Sequence, residues 1–302
     1  MNYSKTLVTA VGILAIFMLF GCGSSDSNGG GTGTLSLNLA DAPLADEANV
    51  TGVYITVAAI EYHTSTGDWK TMDEFNTSIN PINLLDWQDG NSIALGDFQL
   101  PAGKYTQIRF KLDAADEQQM PKSNTGCFIE INDVNKTLYV PSGSQTGYKA
   151  IGNYDVPVNG KVEITADFDV RKSIVVSGNG SNYKLKPTIK LVATNEAGMI
   201  KGTVRNLDAN SSYVIYAYEY ADGATTWGSD ETIDPAAPGE VRFADAVTSS
   251  KVKDGGGYTL AFLAAGTYDL VIAEYDANGD YVNVDRHAEV IVNSAETTLS
   301  NW

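Results

Sequence analysis

The sequence predicts an all-β protein of two β-sandwich domains in tandem. Three observations carry that prediction. Apolar residues recur at every second position in run after run. Gly, Asn, Asp and Pro separate the runs, and no segment shows the 3.6-residue spacing of an amphipathic helix. With 302 residues and 43% hydrophobic side chains, the chain is long enough to bury two cores. The polar, Gly-ended break at Thr194-Asn195-Glu196-Ala197-Gly198 is where we place the boundary between residues 34–194 and 198–302.

Residues 6–20, TLVTAVGILAIFMLF, form an apolar run behind Lys5 that is too short to span a bilayer comfortably and suits a secretory signal. It ends in Leu19-Phe20-Gly21-Cys22, which resembles the lipobox of bacterial lipoproteins, although Phe20 departs from the small residue usual there. The resemblance implies removal of residues 1–21, a diacylglycerol on the Cys22 thiol and anchoring to the bacterial cell envelope. An ordinary cleaved signal peptide is the alternative. Residues 22–33 read as the lipidated Cys and a Gly/Ser-rich tether, and Gly23-Ser24 lack the Asp associated with inner-membrane retention, which favours the outer membrane.

Leu35, Leu37 and Leu39 open the strand pattern, and Asp41-Ala42-Pro43 closes that first run. Further strands are expected over 50–62, 104–112, 127–132, 137–140, 161–171, 183–192, 199–205, 213–220, 240–248, 257–263, 267–276 and 287–293. With Cys22 lipidated, only Cys127 remains and no internal disulfide is possible; its parity with Ile129 and Ile131 marks it as a buried small hydrophobe.

Leu35 to Pro43, Val53-Tyr54-Ile55-Thr56-Val57, Leu100 to Arg109, Pro141 to Gly147, Thr165 to Lys172 and Leu185-Lys186-Pro187 occur in an order that resembles a family of bacterial lipoprotein domains of unknown function, over about residues 34–193. That resemblance implies an exported β-rich domain and supplies no catalytic residues. Met199 to Val204, Gly255 to Leu260 and the Leu263-Ala264-Ala265-Gly266-Thr267-Tyr268 turn resemble the carboxypeptidase-regulatory, transthyretin-like type of immunoglobulin-like sandwich. The same Leu-x-Ala-Gly-x-Tyr turn stands at Leu100 to Tyr105.

A net charge of −17 repels nucleic acid and suits a divalent cation. No H-E-x-x-H, G-x-S-x-G or Walker loop occurs, and the chain holds only His63 and His287. The constellations that remain are three. Asp276-Ala277-Asn278-Gly279-Asp280 places Asp276, Asn278 and Asp280 where an EF-hand loop places ligands, so calcium is the one cofactor the sequence suggests. Tyr281 and His287 break that motif further on, and Asn278-Gly279 equally signals a type I′ hairpin. Tyr216, Tyr218 and Tyr220 share one strand face with Val214, and Trp227 follows, so this stripe either stacks on a sugar or faces the second core with its phenols at the rim.

The third is Asp167-x-Asp169 in TADFDVRKS. Val162, Ile164, Ala166, Phe168 and Val170 alternate with Lys161, Glu163, Thr165, Asp167, Asp169 and Arg171, which predicts one dry and one wet face. The two residues then share the wet face with their Cα atoms about 6.7 Å apart. They are placed either to share a metal or to pair across strands with Arg109 and Lys111. The expected function is a non-enzymatic binding, adhesion or scaffolding module, attached to a membrane through its lipid, with a polysaccharide or another envelope protein as partner. The alternatives are calcium-dependent or glycan recognition and, less favoured, a hydrolase built on Asp167, Asp169 and Glu163.

Overall fold

The structure, a computed structural model, describes residues 30–42, 50–64, 67–114, 126–141, 146–177, 182–220, 227–231 and 241–302; the signal segment and Cys22 lie outside them. The chain is all-β. Its first strands are β1 (Thr32–Ala42), β2 (Val50–Ile55), β3 (Val57–His63), β4 (Trp69–Thr71), β5 (Ile82–Asn83), β6 (Ile93–Pro101) and β7 (Gly103–Leu112). There follow β8 (Phe128–Ile131), β9 (Val134–Tyr139), β10 (Tyr148–Val156), β11 (Lys161–Asp169), a helical turn α1 (Val170–Ser173), β12 (Ile174–Ser177), β13 (Asn182–Leu185) and β14 (Ile189–Ala193).

These strands make an eight-stranded sheet, β4-β3-β7-β10-β14-β11-β1-β6, and a six-stranded sheet, β12-β13-β9-β8-β2-β5. One core lies between them, where Leu35, Leu37, Leu39, Ile164 and Phe168 of the first sheet are buried with Val53, Ile55, Ile129 and Leu138 of the second. Cys127 is buried in the same core.

The remaining strands are β15 (Gly198–Thr203), β16 (Ser212–Glu219), β17 (Thr248–Lys251), β18 (Gly257–Leu263), β19 (Gly266–Tyr275), β20 (Tyr281–Val292) and β21 (Thr297–Leu299), with a helical turn α2 (Trp227–Glu231). A three-stranded sheet, β18-β15-β21, packs on a four-stranded one, β17-β16-β19-β20, burying Ile200, Leu260, Ile215, Leu270 and Val292 between them.

Several expected strands are broken where the chain changes sheet. The run expected over 50–62 divides at Thr56, because β2 belongs to the six-stranded sheet and β3 to the eight-stranded one. At that corner the Asn80 side chain pairs with both backbone groups of Val57, at 3.0 and 2.8 Å. The run 183–192 divides at Lys186-Pro187 for the same reason, and 161–171 ends in α1. In place of a strand over 240–248, turns precede β17, and Phe243 has a left-handed φ of 59°. β6 and β10 were not expected. In β6 a bulge opposite Leu37/Asn38, with Gly96 at φ 148°, breaks the alternation, and in β10 the exposed Ile151 and Gly152-Asn153 obscure it.

Candidate functional site

The outer face of β11 departs from the sequence expectation. Near its start Lys161 and Glu163 are exposed, but Thr165, Asp167 and Asp169 are buried, as is Arg171 in α1. The neighbours of β11 are β1 and β14, not β7, so Arg109 and Lys111 do not pair with it; both form ion pairs with Glu61 on β3. What covers the face is the segment 241–247, folded down from the second pair of sheets.

Three cations grip that segment. The Arg171 guanidinium donates Nε and Nη2 to the two carboxylate oxygens of Asp169 at 3.1 and 2.7 Å, and its Nη1 and Nη2 also donate to the carbonyls of Phe243 and Ala246 at 3.3 and 3.2 Å. Lys172 donates to the Ala246 carbonyl at 2.8 Å and stands 3.6 Å from Asp169. Lys190, paired in register with Asp167, lies 3.0 Å from its carboxylate and donates to the Val247 carbonyl at 3.1 Å. A second polar contact joins the two pairs of sheets, with Asp89 accepting from Ser250 at 2.9 Å and pairing with Lys253 at 2.8 Å.

The helical turn α1 is what brings Arg171 onto this face. The Ser173 hydroxyl donates to the Asp169 carbonyl at 2.5 Å and accepts the Thr188 N–H at 3.0 Å, tying the turn to the start of β14. On the opposite, core side, Asp41 accepts the Val170 N–H at 3.1 Å and a Gln88 side-chain N–H at 3.1 Å. Burial holds the Asp41 carboxyl well above its ordinary range, against those two hydrogen bonds and with a small push from Asp169 and Asp167. Burial pulls the Arg171 guanidinium down, but the Asp169 carboxylate outweighs it and leaves Arg171 raised, whereas burial wins at Lys172 and lowers it.

From the other side the joint is backed by aromatic rings. Tyr216 and Tyr218 are buried, not offered to solvent, so neither presents an open face for stacking on a sugar. Nor do they face the sandwich core of Ile215 and Leu270, and their phenols do not emerge at a rim. They form a separate cluster with Phe243, Ala246 and Tyr275 on the outer face of the four-stranded sheet. Tyr216 and Tyr275 share a hydroxyl hydrogen bond of 2.9 Å, and Tyr218 donates to Asp230 at 2.6 Å, which also accepts the Asp245 N–H at 2.8 Å. The Arg171 guanidinium lies 5.5 Å from the Tyr216 ring centroid. Tyr220 is half-buried beyond the end of β16, and Trp227 belongs to α2.

The other sequence candidates are placed apart from this joint. The Asp276 carboxylate accepts the N–H groups of Asn278 and Asp280 at 2.8 and 3.0 Å within the β19–β20 hairpin, and these bonds lower its pKa. Both of those bonds go to Oδ1, and Oδ2 accepts the Asn278 side-chain N–H at 3.4 Å. Among the described residues no group of three or more His, Cys, Asp or Glu is placed to hold a metal ion. His63 packs edge-on against Trp69, and Trp69 lies under the Arg109 guanidinium at 4.2 Å.

Asp167 and Asp169 therefore face the cations that grip the 241–247 carbonyls rather than a cleft. Sequence reading missed Lys190 as the partner of Asp167 and the segment 241–247 as the cover over both carboxylates. The signal for Lys190 was its place in the apolar strand Ile189-Lys190-Leu191, a lone cation with a dry face to either side. The 241–247 contact had no local signal.

Residues 32–187 match the family described as Domain of unknown function (DUF4382). No curated protein matches the chain. Among solved structures, a leucine-rich repeat protein from Bacteroides thetaiotaomicron is 12% identical, with 90% of this chain and 26% of that one covered at a TM-score of 0.20. The TIE protein of Bacillus anthracis is 12% identical, with 89% and 33% covered at 0.20. GBS52, the minor pilin of Streptococcus agalactiae, is 11% identical, with 88% and 94% covered at 0.20. The chain thus spans about a quarter and a third of the first two.

Proposed function

We propose, on the premise that the chain belongs to the DUF4382 family of domains of unknown function, that the protein is a non-enzymatic binding, adhesion or scaffolding module of the bacterial cell envelope. Residues 34–194 and 198–302 act as two tandem domains. Lipid on Cys22 holds them at the outer membrane, since acyl chains at about 0.8 kcal/mol per buried methylene make a durable anchor.

The observation that carries this reading is the buried joint. Asp167 and Asp169, the carboxylates with the most chemical promise in the sequence, are paired to Lys190 and Arg171 and covered by 241–247. An acid or base needs access to a substrate and a tuned environment, and a metal needs open oxygens. These side chains instead fix the angle between two sandwiches, which suits a body that presents surfaces to a partner.

The test is fractionation of cells that express the parent chain or Cys22→Ser, followed by binding of the purified lipidated protein to envelope polysaccharides and proteins. The parent is expected in the membrane fraction, Cys22→Ser in the soluble one, and binding without turnover. Membrane retention of Cys22→Ser would remove the anchor. Hydrolytic turnover abolished by Asp167→Asn would overturn the non-enzymatic reading.

A further inference from the structure

We infer that the end of the first sandwich formed by the Pro101–Lys104 and Pro157–Lys161 turns docks on the anionic lipid surface to which Cys22 is tethered, so that the molecule stands end-on. The inference rests on the lipid anchor proposed above. It starts from where the chain enters the fold. Gly31 accepts the Ala102 N–H at 2.7 Å, Thr32 accepts the Asn159 N–H at 2.8 Å, and the Thr34 N–H donates to Gly160 at 2.8 Å, so β1 begins between those two turns. The fit is close, since a Cβ on Gly33 would stand 2.1 Å from the Pro157 carbonyl oxygen.

Cys22 and Gly30 are eight residues apart, a reach of at most about 29 Å fully extended. From there β1 carries the fold about 36 Å further away over its eleven residues. The turns are thus the part of the body nearest the anchor, and the joint at the far end of β11 is remote from it.

Charge decides between standing on that end and lying flat. The chain carries a net charge of −17, yet residues 98–104 and 156–162 contain no carboxylate and hold Lys104 and Lys161, which offset the adjoining Asp155, in register with Lys104, and Asp97. Lys104 is exposed, and the Lys161 ammonium is 3.3 Å from Asp97 in an open ion pair with its side chain 54% exposed. An anionic surface repels a chain this acidic and repels it least at this end, where the two lysines offset the neighbouring carboxylates. Val158, 60% exposed between the two turns' prolines, supplies an apolar tip at headgroup depth.

The experiment uses the full lipidated chain in vesicles of phosphatidylethanolamine and phosphatidylglycerol carrying a nitroxide on the lipid headgroup. A fluorophore is placed at Val158→Cys or, at the opposite end of β6, at Asn91→Cys; the native thiol Cys127 is buried. The probe at 158 is expected to be quenched and the probe at 91 not. Adding Lys104→Glu and Lys161→Glu is expected to lower the docked-to-free ratio by at least about 30-fold, the loss of two basic side chains at about 1 kcal/mol each before the repulsion of the two new carboxylates. A chain that fails to sediment with the vesicles sinks the anchor and this orientation together. A chain that sediments but shows equal quenching at both sites, or quenching at 158 indifferent to the two charge reversals, sinks the orientation alone.

Discussion

Replacing Arg171 with Met removes the centre of the joint while keeping most of its volume. Four hydrogen bonds disappear: two to the Asp169 carboxylate, one to the Phe243 carbonyl and one to that of Ala246. The Ala246 oxygen keeps its bond from Lys172, but Asp169 is left buried with only that lysine, 3.6 Å away. Stripping one partner from a buried ion pair costs about 3–5 kcal/mol, most of it from the charge left behind. We therefore expect Arg171→Met to lose about that much stability in urea unfolding followed by tryptophan fluorescence, with faster amide exchange across 241–247. The double variant Arg171→Met with Asp169→Leu removes the orphan as well and is expected to cost less than the single change. A single variant within about 1 kcal/mol of the parent, or a double variant costing the sum of the two single changes, would refute the reasoning.

Asp41 gives a pH prediction of definite sign. Its folded carboxyl titrates above its ordinary 3.8, so the folded chain holds that proton more tightly than the unfolded one; the stability it costs is absent below 3.8 and grows as pH rises toward the folded value. Asp41→Asn keeps an acceptor for the Val170 N–H and lacks the titration. Its stability relative to the parent is expected to improve steadily as pH is raised from 4, as measured by thermal melts at matched ionic strength, and a constant offset would contradict the assignment. Burial pushes the Cys127 thiol up to about 12, leaving roughly one molecule in ten thousand as thiolate at pH 8. The lipidated chain should therefore show no reactive thiol when native and one when denatured, and a reactive thiol in the native chain would mean that Cys22 is unmodified or that Cys127 is accessible.

The local pattern of this chain determined a good deal. Period-two alternation identified β1, β7, β11, β16 and β19 because the hydrophobic period depends only on the pleat. The Asn278-Gly279 signal found the β19–β20 hairpin, although Gly279 alone takes a left-handed φ, of 87°, so the turn is not the type I′ expected; Cys127 was rightly read as buried. Corners and bulges were less legible. At Thr56 and Lys186-Pro187 a strand changes sheets, and nothing in a strand's own sequence records which neighbour it pairs with.

Tertiary structure alone decided the meaning of the polar face of β11. Alternation distinguishes residues that avoid the sandwich core from those that fill it, but it cannot distinguish water from a second polar surface. Asp167 and Asp169 are polar because they pair with Lys190 and Arg171, and those cations in turn donate to backbone carbonyls of 241–247, some seventy residues along the chain from Arg171. Tyr216 and Tyr218 lie under the same segment for the complementary reason, their rings packed with Phe243 and their hydroxyls given to Tyr275 and Asp230. A contact between distant segments is set by the free energy of the assembled chain, and neither segment carries it in its own sequence.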